Sequence, residues 1–569
     1  MNNRKTTRAA MMGRKIIPII IPAVIFVTYF FSGLSIYRDY GISWDEDIER
    51  FSGLVSAKTL LQTIDRELPE KVLGREISES IPNVSQYGDK YYGVVLQFPQ
   101  LLLDRFSGNT QSMWETRHLF LFVFYFISVV ALFLALQKIF GNWLVSLIGT
   151  LLLILTPRFF AESFYNIKDI GFFSAFSIAF YFLVRLFEKP SVFSAFTLGI
   201  AIAFASAVRI VGMALLPFAI GFLLASSMKK TITWKKFGVE MLVLLAFFSG
   251  FLFLFYPASW SSPLVFFYGV IEKMSHYPWD GNVYFMGKIY TAQALPRYYL
   301  PLWILVTTPI IVLLLSLLGI FYPLSRNKEA KRRSKNSLQM ACWITSLSLL
   351  FGFISYGVIA SPTMYDGWRQ FYFLYLPVLV LAVFGAQVLL NLISNFINGR
   401  TLGSVLLLGL VAIGMVPSLI FIVDSHPYQN VYFNEIFGKK AFTLFEKDYW
   451  CLSYSGALHK LAQDDKGTII PVLNDGPMEQ AYAMLTDKEK GKIMLVRSKD
   501  DAKYYFNNFR AVPYRPEIGD EYFSIKVMGQ KILSVEKNAK VSNSRTLQME
   551  QENEKMKNIT LDKVDDLFN

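Results

Sequence analysis

Cysteine, histidine and the sequence patterns of soluble enzymes are scarce in this chain. Only two cysteines occur among 569 residues, Cys342 inside an apolar run and Cys451 far downstream, which argues against a disulfide framework. The four histidines are dispersed along the chain: His118, His276, His426 and His459. No two of them have a metal-ligand spacing, and no glycine-rich phosphate loop, Gly-x-Ser-x-Gly or Cys-x-x-Cys pattern is present. These absences exclude the usual signatures of soluble nucleotide-using enzymes and hydrolases, and they give no support to a zinc site.

Apolar residues dominate the chain instead. They make up 53% of it, aromatic residues 16%, and the mean hydropathy is +0.37, which is more than a soluble domain tolerates. Eleven runs are long enough to cross a bilayer: 16–37, 119–136, 139–156, 170–187, 193–208, 210–225, 241–256, 300–322, 338–359, 371–390 and 402–423. The sequence therefore predicts an α-helical polytopic membrane protein with about eleven transmembrane helices.

The distribution of Lys and Arg predicts the orientation of these runs. If they alternate from a cytoplasmic N-terminus, 1–15, then every loop with a basic cluster faces the cytoplasm, as the positive-inside rule requires. These clusters are Lys138, Arg185 with Lys189, the four lysines between 229 and 236, the segment 326–335, and Arg400. The net charge of +13 therefore indicates topology and lipid contact, with no argument for nucleic acid. We expect a multi-pass plasma-membrane protein.

The first run is predicted to stay in the mature chain, because it is too long for a signal-peptide core and lacks a small-residue cleavage site. The predicted outer segments are then 38–116, 157–169, 257–297, 361–370 and everything after 424. Arg209 lies at the apex of a tight hairpin between two runs. Functional residues should lie in these segments.

Two predicted outer segments contain local periodicity. In 38–116, Ile48, Phe51, Leu54, Val55 and Leu61 recur at helical spacing and predict a surface helix, with a second one within 91–103. After the transmembrane domain, 16–424, the apolar stretches 468–473 and 492–496 alternate with helical patterns at 478–485 and 500–507. This predicts a small extracytoplasmic α/β domain over 425–540. The charged tail, 541–569, has little to bury, and we expect it to be loosely ordered.

Acidic residues cluster directly after the first run. Ser43-Trp44-Asp45-Glu46 has the form of a capping box, in which Ser43 and Glu46 exchange bonds with the backbone at a helix start. This explains part of the cluster without any function. It does not explain why Asp45, Glu46, Asp47 and Glu49 stand together beside a bilayer, where carboxylates are costly to desolvate. A helix start and a reaction centre both remain open.

Cations recur in the predicted outer segments. Arg158, Lys168 and Asp169 lie in the second segment, Arg209 at the hairpin apex and Arg369 before the tenth run. Asp169 could simply cap the next helix, and Lys168 could extend to the interface. Alternatively, several guanidinium groups on one face suit a lipid phosphate, because their geometry matches its oxygens two by two.

Several stretches resemble a known family: Pro157-Arg158-Phe159-Phe160, Asn166-Ile167-Lys168-Asp169, Met364-Tyr365-Asp366-Gly367-Trp368-Arg369, the block from His426 to Asn434, and Phe445-Glu446-Lys447-Asp448-Tyr449-Trp450. With an acidic pair at the head of a long first outer loop, they resemble the GT-C membrane glycosyltransferases. The group in question contains the protein O-mannosyltransferases and the lipid A aminoarabinose transferase. The resemblance covers roughly residues 16–455.

The resemblance implies inverting transfer of a sugar from a polyprenyl-phosphate donor to an acceptor hydroxyl on the non-cytoplasmic side. An acceptor hydroxyl needs a carboxylate to take its proton, and the departing phosphate needs cations. The expected catalytic residues are Asp45 as the base, Glu46 in support and Asp169 as a second acid. The expected phosphate ligands are Arg158, Lys168, Arg209 and Arg369. No metal ligand is assigned, although the carboxylates could bind a divalent cation. The expected partners are the bilayer, the donor, and a glycan, lipid or protein acceptor.

Two other function classes fit the same sequence. A transporter or flippase for a lipid-linked glycan would place ionisable residues within the spans, whereas most of them here lie at the predicted outer ends. An outward-facing binding or assembly protein would act through the C-terminal α/β domain alone.

Overall fold

The computed structural model describes residues 2–275, 277–325, 335–464, 477–511 and 519–538. Most of them are helical, and the helices are α1 Asn2–Ile36, α2 Glu46–Ile64, α3 Leu68–Leu73, α4 Arg75–Ser80, α5 Gln97–Asp104, α6 Thr110–Phe140, α7 Trp143–Ile154, α8 Pro157–Tyr165, α9 Asp169–Glu188, α10 Val192–Ser206, α11 Leu216–Met228, α12 Trp234–Phe255, α13 Pro263–Ser275, α14 Tyr299–Thr307, α15 Ile310–Ile320, α16 Lys335–Ile359, α17 Tyr375–Phe396, α18 Arg400–Asp424, α19 Ala441–Leu444, α20 Ser453–Asp464, α21 Met478–Ala483 and α22 Asp487–Lys490. The strands are β1 Asn282–Phe285, β2 Lys288–Thr291, β3 Tyr504–Asn508, β4 Asp520–Val527 and β5 Gln530–Lys537.

Within these described ranges, eight helical segments are long and apolar enough to cross a membrane, or ten if two bent pairs each count as one span. The bent pairs are α7 with α8, at 67°, and α14 with α15, at 118°. The shorter apolar helix α10 adds one more candidate. All eleven predicted apolar runs fall on these helices, so the predicted polytopic helical fold is confirmed.

Helix α17 lies at the centre of the bundle, because 89% of the most apolar stretch of the segment Arg369–Phe396 is buried. Its close packing against α15 depends on glycine at two positions. A Cβ atom on Gly319 would lie 1.8 Å from the carbonyl oxygen of Leu381, and one on Gly385 would lie 1.9 Å from that of Leu315. The backbones of the two helices therefore approach as closely as small residues permit.

The predicted outer loop 157–169 is mostly a helix, α8, in which every residue is buried. Thr156 precedes the bend between α7 and α8, and its hydroxyl contacts the Tyr375 hydroxyl at 2.6 Å. The buried carboxylate of Glu162 in α8 has hydrogen-bond partners inside the protein. Glu162 accepts hydrogen bonds from Asn166, at 2.7 Å, and from Tyr372, at 2.8 Å. Hydropathy alone could not show this pairing.

The first predicted outer segment begins with the expected helix, α2, but only half of the capping box forms. The Ser43 amide donates to the Glu46 carboxylate at 2.6 Å, whereas Ser43 Oγ meets no partner among the described residues. Asp45 is the residue before the first helical position, and its side chain makes no capping bond. The second predicted helix is shorter than expected and corresponds to α5.

Near the C-terminus, three antiparallel strands form a small sheet in the order β3-β5-β4. Its inner face packs against α20 and α21 in a separate apolar cluster. The helix predicted at 500–507 is wrong, because Tyr504–Asn508 pairs with β5 as a strand. The helix predicted at 478–485 corresponds to α21. No described strand covers 492–496, and the predictions for 468–473 and 541–569 lie outside the described residues.

Candidate active site

A cavity of about 720 Å³ opens at one end of the bundle. Its lining draws on all five predicted outer segments, through Trp44, Lys168, Trp279, Tyr365 and Trp450, and on Arg209 at the hairpin apex. Segments separated by hundreds of residues therefore meet around one cavity. The ionisable groups of the described lining, apart from tyrosines, are four acids and four bases: Asp45, Glu49, Asp89, Asp366, Lys168, Arg209, Arg369 and Arg510.

Arg369 links three of the carboxylates at this site. Its Nη1 donates to Asp45 at 2.7 Å and to Asp169 at 3.3 Å, and its Nη2 donates to Asp366 at 3.3 Å. The guanidinium also lies over the rings of Trp450, at 4.8 Å, and Tyr365, at 5.0 Å. With only 4% of its side chain exposed, Arg369 is held in one orientation at the wall of the cavity.

Asp45 remains reachable from the cavity, since 27% of its side chain is exposed. Burial favours the neutral carboxyl, but the charges of Arg369 and Lys168 outweigh this effect, so the pKa of Asp45 lies below its ordinary value. Asp45 is therefore a carboxylate at neutral pH. The predicted base is in the charge state that proton acceptance requires.

Glu49 lies one helical turn after Asp45 on α2 and pairs with Lys168. Burial raises the pKa of Glu49, and the charge of Lys168 opposes this effect only in part. The Lys168 ammonium also lies 3.4 Å from the centre of the Tyr92 ring, in the range of a cation–π contact. Sequence analysis grouped Glu49 with the acidic cluster but did not assign it to the site.

Asp169 supports two cations from behind the cavity wall. It pairs with Arg209 and Arg369, its side chain is fully buried, and it does not belong to the described lining. It begins α9 without capping it, because Asn166 Oδ1 accepts from the Asp169 amide at 2.9 Å. Asp169 is thus placed to orient cations.

The C-terminal sheet domain contributes Arg510, which lies two residues after β3 and pairs with Asp366. Burial disfavours its charge, but Asp366 and the nearby Glu446 outweigh this and raise the pKa of Arg510. Burial, and then the charge of Asp366, raise the pKa of Glu446. Neither Arg510 nor Asp366 is predicted as a site residue from the sequence, because 144 positions separate these two partners along the chain.

Besides Asp169, two other predicted site residues lie away from the described cavity lining. Arg158 is 1% exposed and donates to the Tyr432 carbonyl at 3.0 Å. Its guanidinium lies 5.5 Å from the Trp303 ring centre and 5.2 Å from that of Phe433. Glu46 bonds the Ser43 amide and, at 3.0 Å, the ring of His118. The structure does not bring either residue together with the cavity cations.

One wall of the cavity is apolar and partly open. Met213, Ile271 and Tyr356 line it, with 38%, 57% and 39% of their surfaces exposed. Val211 and Phe353, which are half-buried, also belong to the lining. The cavity therefore joins a charged region to an apolar opening, which suits a molecule with an anionic head and a hydrocarbon chain.

In the described part of the chain, no three His, Cys, Asp or Glu side chains converge in a way that could hold a metal ion. Asp45, Glu49 and Asp366 pair with Lys or Arg, and Asp89 accepts a hydrogen bond from the Tyr277 hydroxyl at 3.3 Å.

One stretch of the chain matches a known family model. Residues 107–254, which include Lys168, Asp169 and Arg209, match the family model described as dolichyl-phosphate-mannose-protein mannosyltransferase. The crystal structure of ArnT from Cupriavidus metallidurans bound to undecaprenyl phosphate is 13% identical, with a TM-score of 0.44, over 91% of this chain and 99% of that chain. The apo state of ArnT from Cupriavidus metallidurans is 12% identical, with a TM-score of 0.42, over 92% and 98%. No curated protein sequence matches the chain. The family match confirms the predicted resemblance to the GT-C membrane glycosyltransferases.

Proposed function

We propose that this chain is an inverting membrane glycosyltransferase, which transfers a sugar from a polyprenyl-phosphate donor to an acceptor hydroxyl on the outer side of the plasma membrane. One observation carries the proposal. A single cavity combines a solvent-reachable carboxylate, a row of cations and an apolar opening. These are the three features that an acceptor proton, a departing phosphate and a polyprenyl chain would each require.

In the proposed mechanism, Asp45 accepts the proton of the acceptor hydroxyl as its oxygen attacks the anomeric carbon. The bond from that carbon to the phosphate oxygen breaks on the opposite face, and the electron pair leaves with the polyprenyl phosphate. Lys168, Arg209 and Arg369 hold the phosphate as charge accumulates on it. A phosphate leaves without a strong general acid, so one carboxylate base is sufficient.

The remaining predicted residues take supporting roles in this proposal. Asp169 orients Arg209 and Arg369 through its two ion pairs. Glu46 fixes the start of α2, and with it the position of Asp45, through the Ser43 amide. Arg158 stays outside the proposed phosphate site because its guanidinium lies against Trp303 and Phe433.

Reconstitution tests the proposal directly. The purified chain, in proteoliposomes with a panel of radiolabelled polyprenyl-phosphate sugars and an extract of cell-envelope acceptors, should release polyprenyl phosphate and label an acceptor with inverted anomeric configuration. A matched preparation of Arg369→Gln controls for contaminating transferases. Transport of the intact lipid-linked sugar without cleavage would contradict the proposal and favour a flippase.

A further inference from the structure

Lys168 and Glu49 form a one-to-one ion pair at the front of the cavity. Both side chains line the cavity, and they are 9% and 7% exposed. Among the described residues, Glu49 is the only ion-pair partner of Lys168. The arrangement around Arg369 is different, because three carboxylates share that guanidinium.

We propose that Lys168 exchanges Glu49 for the donor phosphate when the donor binds. Glu49 is then a positioning residue, which holds the ammonium before binding and competes with the phosphate for it. This inference rests on the proposed function, and it adds a role for a carboxylate that the proposed transfer step does not use.

The surroundings of the two groups permit such an exchange. The lysine ammonium is a compact charge on a flexible stem with three donors, so it can turn from one anion to another. The ring of Tyr92 also lines the cavity, and its centre lies 3.4 Å from the ammonium. Contact with the ring can keep the cation at the cavity wall while its anionic partner changes.

Arg209 is held differently. Asp169 contacts it from outside the described cavity lining, so a phosphate in the cavity can meet this guanidinium group without displacing Asp169. Arg369 is shared between Asp169 and two carboxylates of the lining, Asp45 and Asp366. Glu49 instead lines the cavity together with its partner Lys168. A phosphate that reaches Lys168 must therefore compete with Glu49.

Competition predicts an unusual direction of effect. Glu49→Gln removes the competing charge while it keeps the size of the side chain, so polyprenyl phosphate should bind more tightly than to the wild-type chain. If Glu49 served only to support the fold, the same substitution would weaken binding. Tighter binding of this product should also slow its release, so the turnover number should fall together with the KM for the donor.

The test is a titration of the full-length chain in nanodiscs with undecaprenyl phosphate, with undecaprenol as the uncharged control. For Glu49→Gln we expect the dissociation constant to fall about fivefold, the scale of a partly shielded ion pair, and undecaprenol binding to stay unchanged. Lys168→Gln should weaken binding, and the double variant should bind like Lys168→Gln alone.

Asp47→Asn changes a carboxylate on the same helix outside the cavity lining, and this control variant should bind undecaprenyl phosphate like the wild type. Glu49→Asp, which keeps the charge but shortens the side chain, should give a smaller tightening and provides a second variant if Glu49→Gln does not fold.

Two results would overturn the exchange. Unchanged or weaker undecaprenyl phosphate binding by both folded Glu49 variants would refute it and leave the proposed function intact. Tighter binding that persists in the double variant would show that Lys168 is not the cation involved. If the wild-type chain bound no undecaprenyl phosphate at all, the proposed function itself would fail.

Discussion

Arg369→Gln tests the cation that links three carboxylates of the site. It removes a 2.7 Å charge-assisted bond to Asp45 and two 3.3 Å bonds to Asp169 and Asp366. Asp169 keeps Arg209, and Asp366 keeps Arg510, so the fold should survive. Loss of one preorganised group that stabilises transition-state charge typically lowers kcat about 10²–10³-fold, or about 2.7–4 kcal/mol. We expect a loss in that range, with Arg369→Lys intermediate.

The same variant should shift the pH profile. In the wild type, the net effect of burial and cations places the pKa of Asp45 below its ordinary value. Without Arg369 the burial effect meets less opposition, so the pKa of Asp45 rises and the base becomes protonated at a higher pH. The acidic limb of kcat/KM against pH should therefore move upward in Arg369→Gln and stay in place in Arg400→Gln. An acidic limb that does not move, or a kcat within twofold of the wild type, would refute the assigned role of Arg369.

Three further predictions concern the domain contact, the helix packing and a buried lysine. Arg510→Gln removes the pairing with Asp366 and should lower kcat/KM about tenfold or more, the effect of losing a charged hydrogen bond. The control variant at an exposed position, Lys526→Gln, should keep the wild-type kcat/KM. Equal activities of the two variants would contradict a role for the sheet domain. Gly319→Ala places a methyl group against the Leu381 carbonyl, so the melting temperature in detergent should fall by several degrees; an unchanged value would contradict the packing of α15 on α17. Burial lowers the pKa of Lys447 to about 8 from 10.5. Between these two pH values the unfolded chain binds more protons than the folded chain, so the free energy of unfolding should increase with pH. Lys447→Met should abolish this increase, and an increase that persists in the variant would contradict the lowered pKa of Lys447.

Local sequence patterns were sufficient for the predicted spans and for much of the site. Hydropathy is a local property, so all eleven apolar runs correspond to helices, and loop charge pointed to Lys168, Arg209 and Arg369. The same argument failed for Arg158. Its loop is a buried helix, α8, which follows a 67° bend, and Arg158 Nε donates to the distant Tyr432 carbonyl.

Contacts between segments that are distant along the chain could not be predicted from the sequence. Arg510 and Asp366 meet across 144 positions, and no local pattern marks either as part of a cavity. Glu49 illustrates a different difficulty. The capping box assigns a role only to Glu46 among these acids, and the partner of Glu49 is Lys168, which lies 119 positions away along the chain. The local pattern at 500–507 predicts a helix. Tyr504–Asn508 is a strand instead, because pairing with β5 outweighs that local pattern.

The most direct test of the proposed transferase is the activity of Asp45→Asn. The amide keeps the shape of the side chain beside Arg369 but cannot accept the acceptor proton at neutral pH. Transfer from a labelled polyprenyl-phosphate sugar by the reconstituted variant should fall by about two to four orders of magnitude, the usual contribution of a general base. The melting temperature should stay close to that of Asp47→Asn. Transfer at the wild-type rate by folded Asp45→Asn would contradict the account.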